Sequence, residues 1–494
     1  MLQWNICHYI GYVAEGFNKM SNARTIIKNT GFLVGADIIS KILSLVFVVY
    51  IARVWGDAGF GKYSFVFSFV AVFALFSDLG IVPLLVREVS RDKKKAGYYL
   101  NNCLSLKLIS TIIALALALA ILPIYKSGFD VFLSVILISV AMIFANLSEI
   151  LHGMFQAEQK MEYPAYLTIL ERIVTIGLGI YVISKGYGIV GFAVVYCFSY
   201  FVIFVISAIL TSRMICRVRL NLDLNAAWSI LRESYPFWLT VIFGTLYFRI
   251  NTVMLNYFDG YEVVGWFSAA YAVLEMLVFI PAAFSRAVFP AMSELFVKNK
   301  DFLRELLQRA FSYVVMIAVP IAIGIALLSD SIIFLVYKDA FSNSALALRI
   351  LIWAVMMLFP NIILGCFLNA INKQRTFTVV TAISAVLSIV LNAVLIPAYS
   401  YIGATIATVI TEMIVLVVIG FYVRKEGYSF VNSWLILKVI FAGIVMAGIL
   451  YLLKGLNLFV LIVIGAVTYF AVMYVVRAIT NEDIKYFSGL VLKR

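Results

Sequence analysis

The chain has 494 residues, 64% of them hydrophobic and 13% charged, with a mean hydropathy of +1.04 and a formal charge of +13. That is more apolar surface than one or two water-soluble cores bury, so the composition excludes a soluble globular protein and predicts a polytopic membrane protein. The basic residues gather in short loops beside apolar runs rather than on one face, which argues against nucleic acid as the partner.

Runs of about 20 apolar residues, enough to cross about 30 Å of hydrocarbon as a helix, recur along the whole sequence. They are rich in Gly, Ala, Ser and Thr without strict alternation, which favours helices over barrel strands. Residues 1–19 have no basic start, and their apolar part is interrupted by His8 and Glu15. They are not expected to be a secretory signal, and are read as a start-site artefact or a short tail before the cytosolic lead SNARTIIKN. After a cytoplasmic N-terminal segment (1–30), six spans at 31–52, 62–86, 103–124, 129–155, 164–184 and 188–211 make a first lobe, 31–211. A cytoplasmic linker (212–235) leads to six more at 236–257, 263–289, 310–328, 345–368, 377–397 and 401–423, a second lobe over 236–423. Spans 13 and 14 at 434–453 and 457–476 and a cytoplasmic tail (477–494) complete an all-α expectation of fourteen transmembrane helices.

Orientation follows from Lys and Arg, which are enriched in cytoplasmic loops. The termini and the even-numbered loops hold 25 of them and the odd-numbered loops six, which predicts cytoplasmic termini. The cluster closing span 2, Arg87, Arg91, Lys93, Lys94 and Lys95, is the strongest of these topology anchors.

Shifting the chain by 204 residues lays WGDAGFGKYS (55–64) over DGYEVVGWFS (259–268), matching Gly56 with Gly260, Gly61 with Gly265 and Ser64 with Ser268. With a small gap, QAEQK (156–160) falls on NAINK (369–373), and YGIVGFA (187–193) on SYIGATI (400–406). Because each half has an even number of spans, the halves run parallel and are related by an axis along the membrane normal. This is the architecture of a transporter that rocks two lobes about a central cavity.

A charge at mid-helix costs about 2.5–3.5 kcal/mol on insertion scales, so it is expected to face protein or water. Asp37 and Lys41 stand four apart on span 1 and can pair. Asp78 lies in span 2, Arg249 in span 7, Glu275 in span 8 and Glu412 in span 12. Spans 1 and 7 are equivalent in the repeat, as are 2 and 8, which makes these four helices the expected cavity lining. Asp78 is read as a cavity residue or as a partner of Lys41 or Arg249. Arg249 is read either as a binder of substrate anion, for which its planar fork suits phosphate oxygens, or as half of a structural ion pair. Glu275 and Glu412 are candidates for ion coupling. Lys107, Arg172, Arg286, Arg349 and Lys438 also fall within spans, and those near span ends are expected to snorkel to the headgroups. Pro83 and Pro281 mark expected kinks.

No phosphate-cradling GxxxxGK[ST] loop, HExxH, GxSxG or paired-Cys motif occurs, and no soluble stretch exceeds about 25 residues, so neither an enzyme nor a cofactor is expected. Two histidines and five scattered cysteines make no metal site.

The two six-span halves plus two, SDLGIVPLLVREVSR (77–91), QAEQK and IGATIAT (402–408) together resemble the polysaccharide transporter (oligosaccharide flippase) family of the multidrug/oligosaccharidyl-lipid/polysaccharide exporter superfamily. The resemblance implies a flippase that moves a polyprenyl-linked sugar or oligosaccharide between leaflets of the cytoplasmic membrane. It also implies a cationic cavity lined by spans 1, 2, 7 and 8, onto which Lys41 and Arg249 map, and, in the lipid II flippases of the same superfamily, a lipid-tail groove on spans 13 and 14. Tyr247 and Tyr271 are expected to stack on sugars. Lipid-linked oligosaccharide and membrane lipids are the expected partners, and a two-lobe carrier works as a monomer. The rival readings are a cation-coupled multidrug antiporter of the same superfamily, which favours an acidic cavity, and a non-transporting membrane scaffold.

Overall fold

A computed structural model describes residues 21–478, with side chains from Ser40 onward except at positions 236, 237 and 240. Every regular element among the described residues is helical. The chain forms two compact units, Met20–Gly265 and the part from Trp266 onward.

In the first unit, α1 (Ser21–Asp78), α2 (Ile81–Arg91), α3 (Ala96–Ile121), α4 (Phe129–Ala157), α5 (Glu162–Ser184) and α6 (Gly188–Met214) lead into α7 (Leu224–Lys298). The second unit holds the end of α7 and then α8 (Lys300–Tyr337), α9 (Ser342–Leu351), α10 (Val355–Ala370), α11 (Gln374–Lys425), α12 (Ser433–Leu452) and α13 (Leu458–Val475). Short loops are closed by side-chain caps: Asn299, Asn432 and Asn457 accept hydrogen bonds from the first backbone N–H groups of α8, α12 and α13.

Eleven of the described helices are long and apolar enough to cross a membrane. Three of them contain one non-helical residue, Gly56 in α1, Gly260 in α7 and Ser400 in α11, and each lies where the sequence reading separates two spans. At Gly56 the chain doubles back. Phe47 and Phe67 would stand about 30 Å apart on a straight helix, yet their ring centroids lie 5.5 and 6.2 Å from that of Phe192. At Ser400 it also doubles back: a Cβ on Gly403 would overlap the carbonyl of Leu395, eight residues earlier.

The internal repeat is written in the backbone. Gly56 and Gly260 share nearly the same dihedrals (φ 68, ψ −171 and φ 81, ψ −172). Lys126 and Lys338, after equivalent spans 3 and 9, both take positive φ, as do Gln159 and Asn372 in the matched segments QAEQK and NAINK. Gly61 packs against the carbonyl of Tyr261 while Gly265 packs against that of Asp57, so near-equal offsets relate both partners of two reciprocal backbone contacts.

One expected span is shorter than drawn. The run 62–86 ends as a helix at Asp78, because Leu79 (φ 52) and Gly80 (φ 65) both enter the left-handed region. The chain then restarts as α2, whose apolar face (Ile81, Leu84, Leu85, Val89) packs on Leu104, Leu151 and Met154. Pro83 sits in the first turn of α2, where its missing N–H breaks no bond, so the break belongs to Gly80 rather than to the proline. The basic cluster that follows is largely paired: Arg87 with Glu88 (2.8 Å) and Glu233 (2.6 Å), Arg91 with Glu88 (3.3 Å), and Lys93 with Glu158 (2.7 Å).

The linker between α6 and α7 is docked rather than loose. The backbone N–H groups of Arg219 and Asp223 donate to Asn101 and Asn102 at the start of α3 (3.0 and 2.8 Å), and beyond the linker, within α7, Trp238 Nε1 donates to the Leu75 carbonyl at 2.6 Å. Burial, and secondarily the Glu158 carboxylate, push the Cys216 thiol in this linker up from its ordinary pKa.

In the second unit, α12 and α13 pack on α8 through Val439, Met446, Leu461 and Tyr469, and the Tyr469 hydroxyl donates to the Met316 carbonyl at 2.9 Å. Their opposite faces, with Phe441, Ile444, Val463 and Phe470, are exposed and apolar, as lipid contact requires.

Candidate functional site

Among the described residues of the first unit, Lys107 on α3 is a cation with a fully buried side chain. Its Nζ lies 3.3 Å from the carbonyl and 3.4 Å from Oδ1 of Asp78, and 3.3 Å from Glu149 Oε2. Around it, Ser110 donates to the Ser77 carbonyl (3.2 Å), and Asn146 donates to the hydroxyls of Ser77 (2.9 Å) and Thr111 (3.1 Å). The last carbonyls of α1, freed by the break at Leu79–Gly80, are thereby satisfied from α3. Asp78 thus pairs with Lys107 and not with Lys41 or Arg249, and Lys107 does not snorkel. Lys107 projects from α3 straight at the broken end of α1, a neighbour that spacing along either helix does not reveal. Lys107→Met is expected to cost about 1–3 kcal/mol, the range for leaving buried polar groups unsatisfied, discounted because both carboxylates are partly exposed. Thermal unfolding in detergent reads this as a lower midpoint; an unchanged midpoint would deny the triad a structural role.

Lys41 is exposed on α1, and Arg249 is half-buried on α7. The break at Gly56 follows Lys41 by 15 residues and the equivalent break at Gly260 follows Arg249 by 11, so the two cations stand one turn apart on equivalent helices and on the same face. The stretch after Arg249 buries three polar side chains, Asn251, Thr252 and Asn256. The side chain of Asp37 lies outside the described residues.

Glu275 is exposed on the part of α7 that belongs to the second unit. Glu412, on α11 in the same unit, is buried, and its Oε2 accepts a hydrogen bond from Asn361 Nδ2 on α10 at 2.6 Å, as does its backbone carbonyl at 3.1 Å. Tyr247 and Tyr271 are both buried, and Tyr271 stacks on Phe267 at 5.3 Å, so neither ring has the open face that sugar stacking needs.

The sequence reading passed over Arg172. It does not stand near a span end: it lies ten residues into α5, about 15 Å from its start and half-way across the hydrocarbon. The adjacent Glu171 is buried, accepts from Thr175 Oγ1 at 3.0 Å and places Oε2 3.3 Å from Arg172 Nε. Tyr196 and Tyr200 on α6 and Tyr63 on α1 lie within the reach of the Arg172 charge. The available signal was two adjacent charges at the centre of an apolar run, opposite two tyrosines spaced i, i+4 on the next run.

Residues 26–296 match the family model described as polysaccharide biosynthesis protein, and residues 232–471 match that of the lipid II flippase MurJ. The probable low-salt glycan biosynthesis flippase Agl15 of Haloferax volcanii is 22% identical over 486 residues, 96% of this chain and 100% of that relative. The capsular polysaccharide biosynthesis protein CapF of Staphylococcus aureus is 23% identical across 81% of this chain and 99% of its own. A solved structure of the lipid II flippase MurJ in an inward closed conformation shares the fold at TM-score 0.75 and 17% identity, covering 90% of this chain and 98% of that one.

Proposed function

Because this chain belongs to the polysaccharide biosynthesis protein family, whose members are polysaccharide transporters of the multidrug/oligosaccharidyl-lipid/polysaccharide exporter superfamily, we propose that it is a flippase. Its substrate is a sugar or oligosaccharide linked to a polyprenyl (di)phosphate, carried across the cell membrane by alternating access through a cationic cavity. A diphosphate and sugar hydroxyls cannot cross hydrocarbon bare, so a carrier must offer the head polar partners while the prenyl tail stays in lipid. The observation that carries this reading is the pair Lys41 and Arg249, one turn apart on equivalent helices that end in the same kind of break. Their charges compensate the diphosphate during its passage, with the fork of Arg249 suited to two phosphate oxygens. The excess of Lys and Arg in the even-numbered loops supports cytoplasmic termini, and the carrier acts as a monomer.

Glu412 and Glu275, both in the second unit, are the proposed coupling residues, and the buried Glu412 is the stronger of the two. The test is flipping of a fluorescent polyprenyl diphosphate N-acetylhexosamine in vesicles reconstituted with the protein, read by surface quenching. The wild type is expected to equilibrate the probe between leaflets, faster under a sodium or proton gradient. Glu412→Gln is expected to slow it at least about fivefold and to abolish the gradient dependence, since the amide can neither titrate nor hold a cation. A wild-type protein that leaves the probe stranded in one leaflet refutes the flippase reading.

A further inference from the structure

Arg172 is one-third exposed although it sits at mid-membrane, so the direction it faces decides its role. The exposed side of α5 is the stripe Tyr166, Leu170, Ile173 and Ile180. At 100° per residue, Arg172 points about 115° away from the centre of that stripe. On α6 the exposed stripe is Val194, Phe198 and Phe201, and Tyr196 and Tyr200 point about 125–165° away from it. The open space beside Arg172 is therefore interior to the first unit rather than lipid.

The walls of this space are aromatic. Tyr63 lies 4.6 Å from Phe67 and Phe67 5.0 Å from Tyr196 by ring centroids, and Tyr196 and Tyr200 are 4.8 Å apart with their hydroxyls 3.3 Å from each other. The polar groups are one carboxylate, one guanidinium and the phenol hydroxyls of Tyr63, Tyr196 and Tyr200. Arg172 Nε has no hydrogen-bond partner, because its approach to Glu171 lacks the geometry for one. A buried donor left unmade is costly, and a ligand that supplies the acceptor recovers that cost.

The chemistry of the set selects the ligand class. Glu171 cancels the charge of Arg172, so the pocket has no net attraction for an anion. Adjacent acceptor and donor groups suit neighbouring hydroxyls, and ring faces suit the C–H face of a pyranose. The geometry points to a sugar-ring subsite formed by Glu171, Arg172, Tyr196 and Tyr200, which takes a neutral, hydroxyl-rich residue of the carried headgroup. This rests on the flippase reading and deepens it: Arg249 and Lys41 take the phosphates, and the pocket on α5 and α6 takes a sugar.

The experiment compares binding of two probes to the full-length protein in nanodiscs: a polyprenyl diphosphate carrying one N-acetylglucosamine, and the same polyprenyl diphosphate without sugar. The wild type is expected to bind the glycosylated probe about tenfold more tightly, a difference of one good hydrogen-bonded contact. Tyr200→Phe and Arg172→Gln are expected to reduce that ratio to about two or less while leaving the bare probe unchanged. Tyr200→Phe removes a single oxygen and keeps the ring, so it reports even if Arg172→Gln fails to fold. A wild-type ratio near one, variants that keep the tenfold ratio, or variants that weaken both probes equally would each overturn the subsite. Arg249→Ala weakening both probes alike leaves the flippase reading standing whatever the subsite does, whereas a wild type that binds neither probe removes both.

Discussion

Arg249→Ala is expected to reduce flipping of a polyprenyl diphosphate-linked sugar by about 10–100-fold, with the protein still inserted and folded. The size follows from the loss of one charge-assisted hydrogen bond, about 1.5–3 kcal/mol, at about 1.4 kcal/mol per tenfold. Arg249→Lys keeps the charge but replaces a planar fork with a point donor, so its loss is expected to be smaller, about threefold to tenfold. The ordering Arg, Lys, Ala distinguishes an anion-binding role from packing, because a packing role would follow side-chain volume, in which Lys and Arg are close. The readouts are initial rate in reconstituted vesicles and restoration of surface glycan in a strain lacking its own flippase. Wild-type rates from Arg249→Ala would end the cationic-cavity mechanism.

Gly61→Val is expected to lower transport to less than about a tenth and to destabilise the protein by about 1–3 kcal/mol, the usual range for overpacking. A Cβ at Gly61 would overlap the backbone carbonyl of Tyr261, and one at Gly265 would overlap that of Asp57. Backbone cannot swing aside as a long side chain can, so the two helical segments must separate. Because the contacts are reciprocal, Gly265→Val is expected to match Gly61→Val, and the double variant to be little worse than either single one, as for residues sharing one contact. Gly56→Ala is the control. Its φ of +68 with ψ of −171 lies in a region almost restricted to glycine and costs an L-residue about 1–3 kcal/mol, but open space surrounds its Cβ, so it is expected to leave the Gly61 contact intact. Gly61→Val that melts and transports like the wild type would show that these helical segments need not touch for the protein to work.

Much of the fold is legible in order along the chain. Apolar run length marks the crossings, glycines at equal offsets mark the repeat, and the structure puts like backbone dihedrals at Gly56 and Gly260. These are local properties, dictated by hydrocarbon thickness and by which residues tolerate positive φ. Even here the end of the second run was drawn late: hydropathy carries straight through Leu79 and Gly80, while the backbone does not.

The site was legible in depth and not in direction. Sequence places Lys107 and Arg172 inside spans, but only packing shows that Lys107 meets the broken end of α1 and that Arg172 faces tyrosines of α6. The same limit applies to Tyr247 and Tyr271, whose residue type suits sugar stacking and whose burial removes the open ring face.

Composition, periodicity and repeat thus determined on their own that this is an internally repeated, all-helical membrane protein, because the bilayer penalises every other arrangement of an unpaired backbone. Which charges pair, which are buried and which face open interior was decided by tertiary structure alone. A side chain's neighbours depend on how its helix is rotated against others far away in sequence, and a pattern read along one helix contains no information about that rotation.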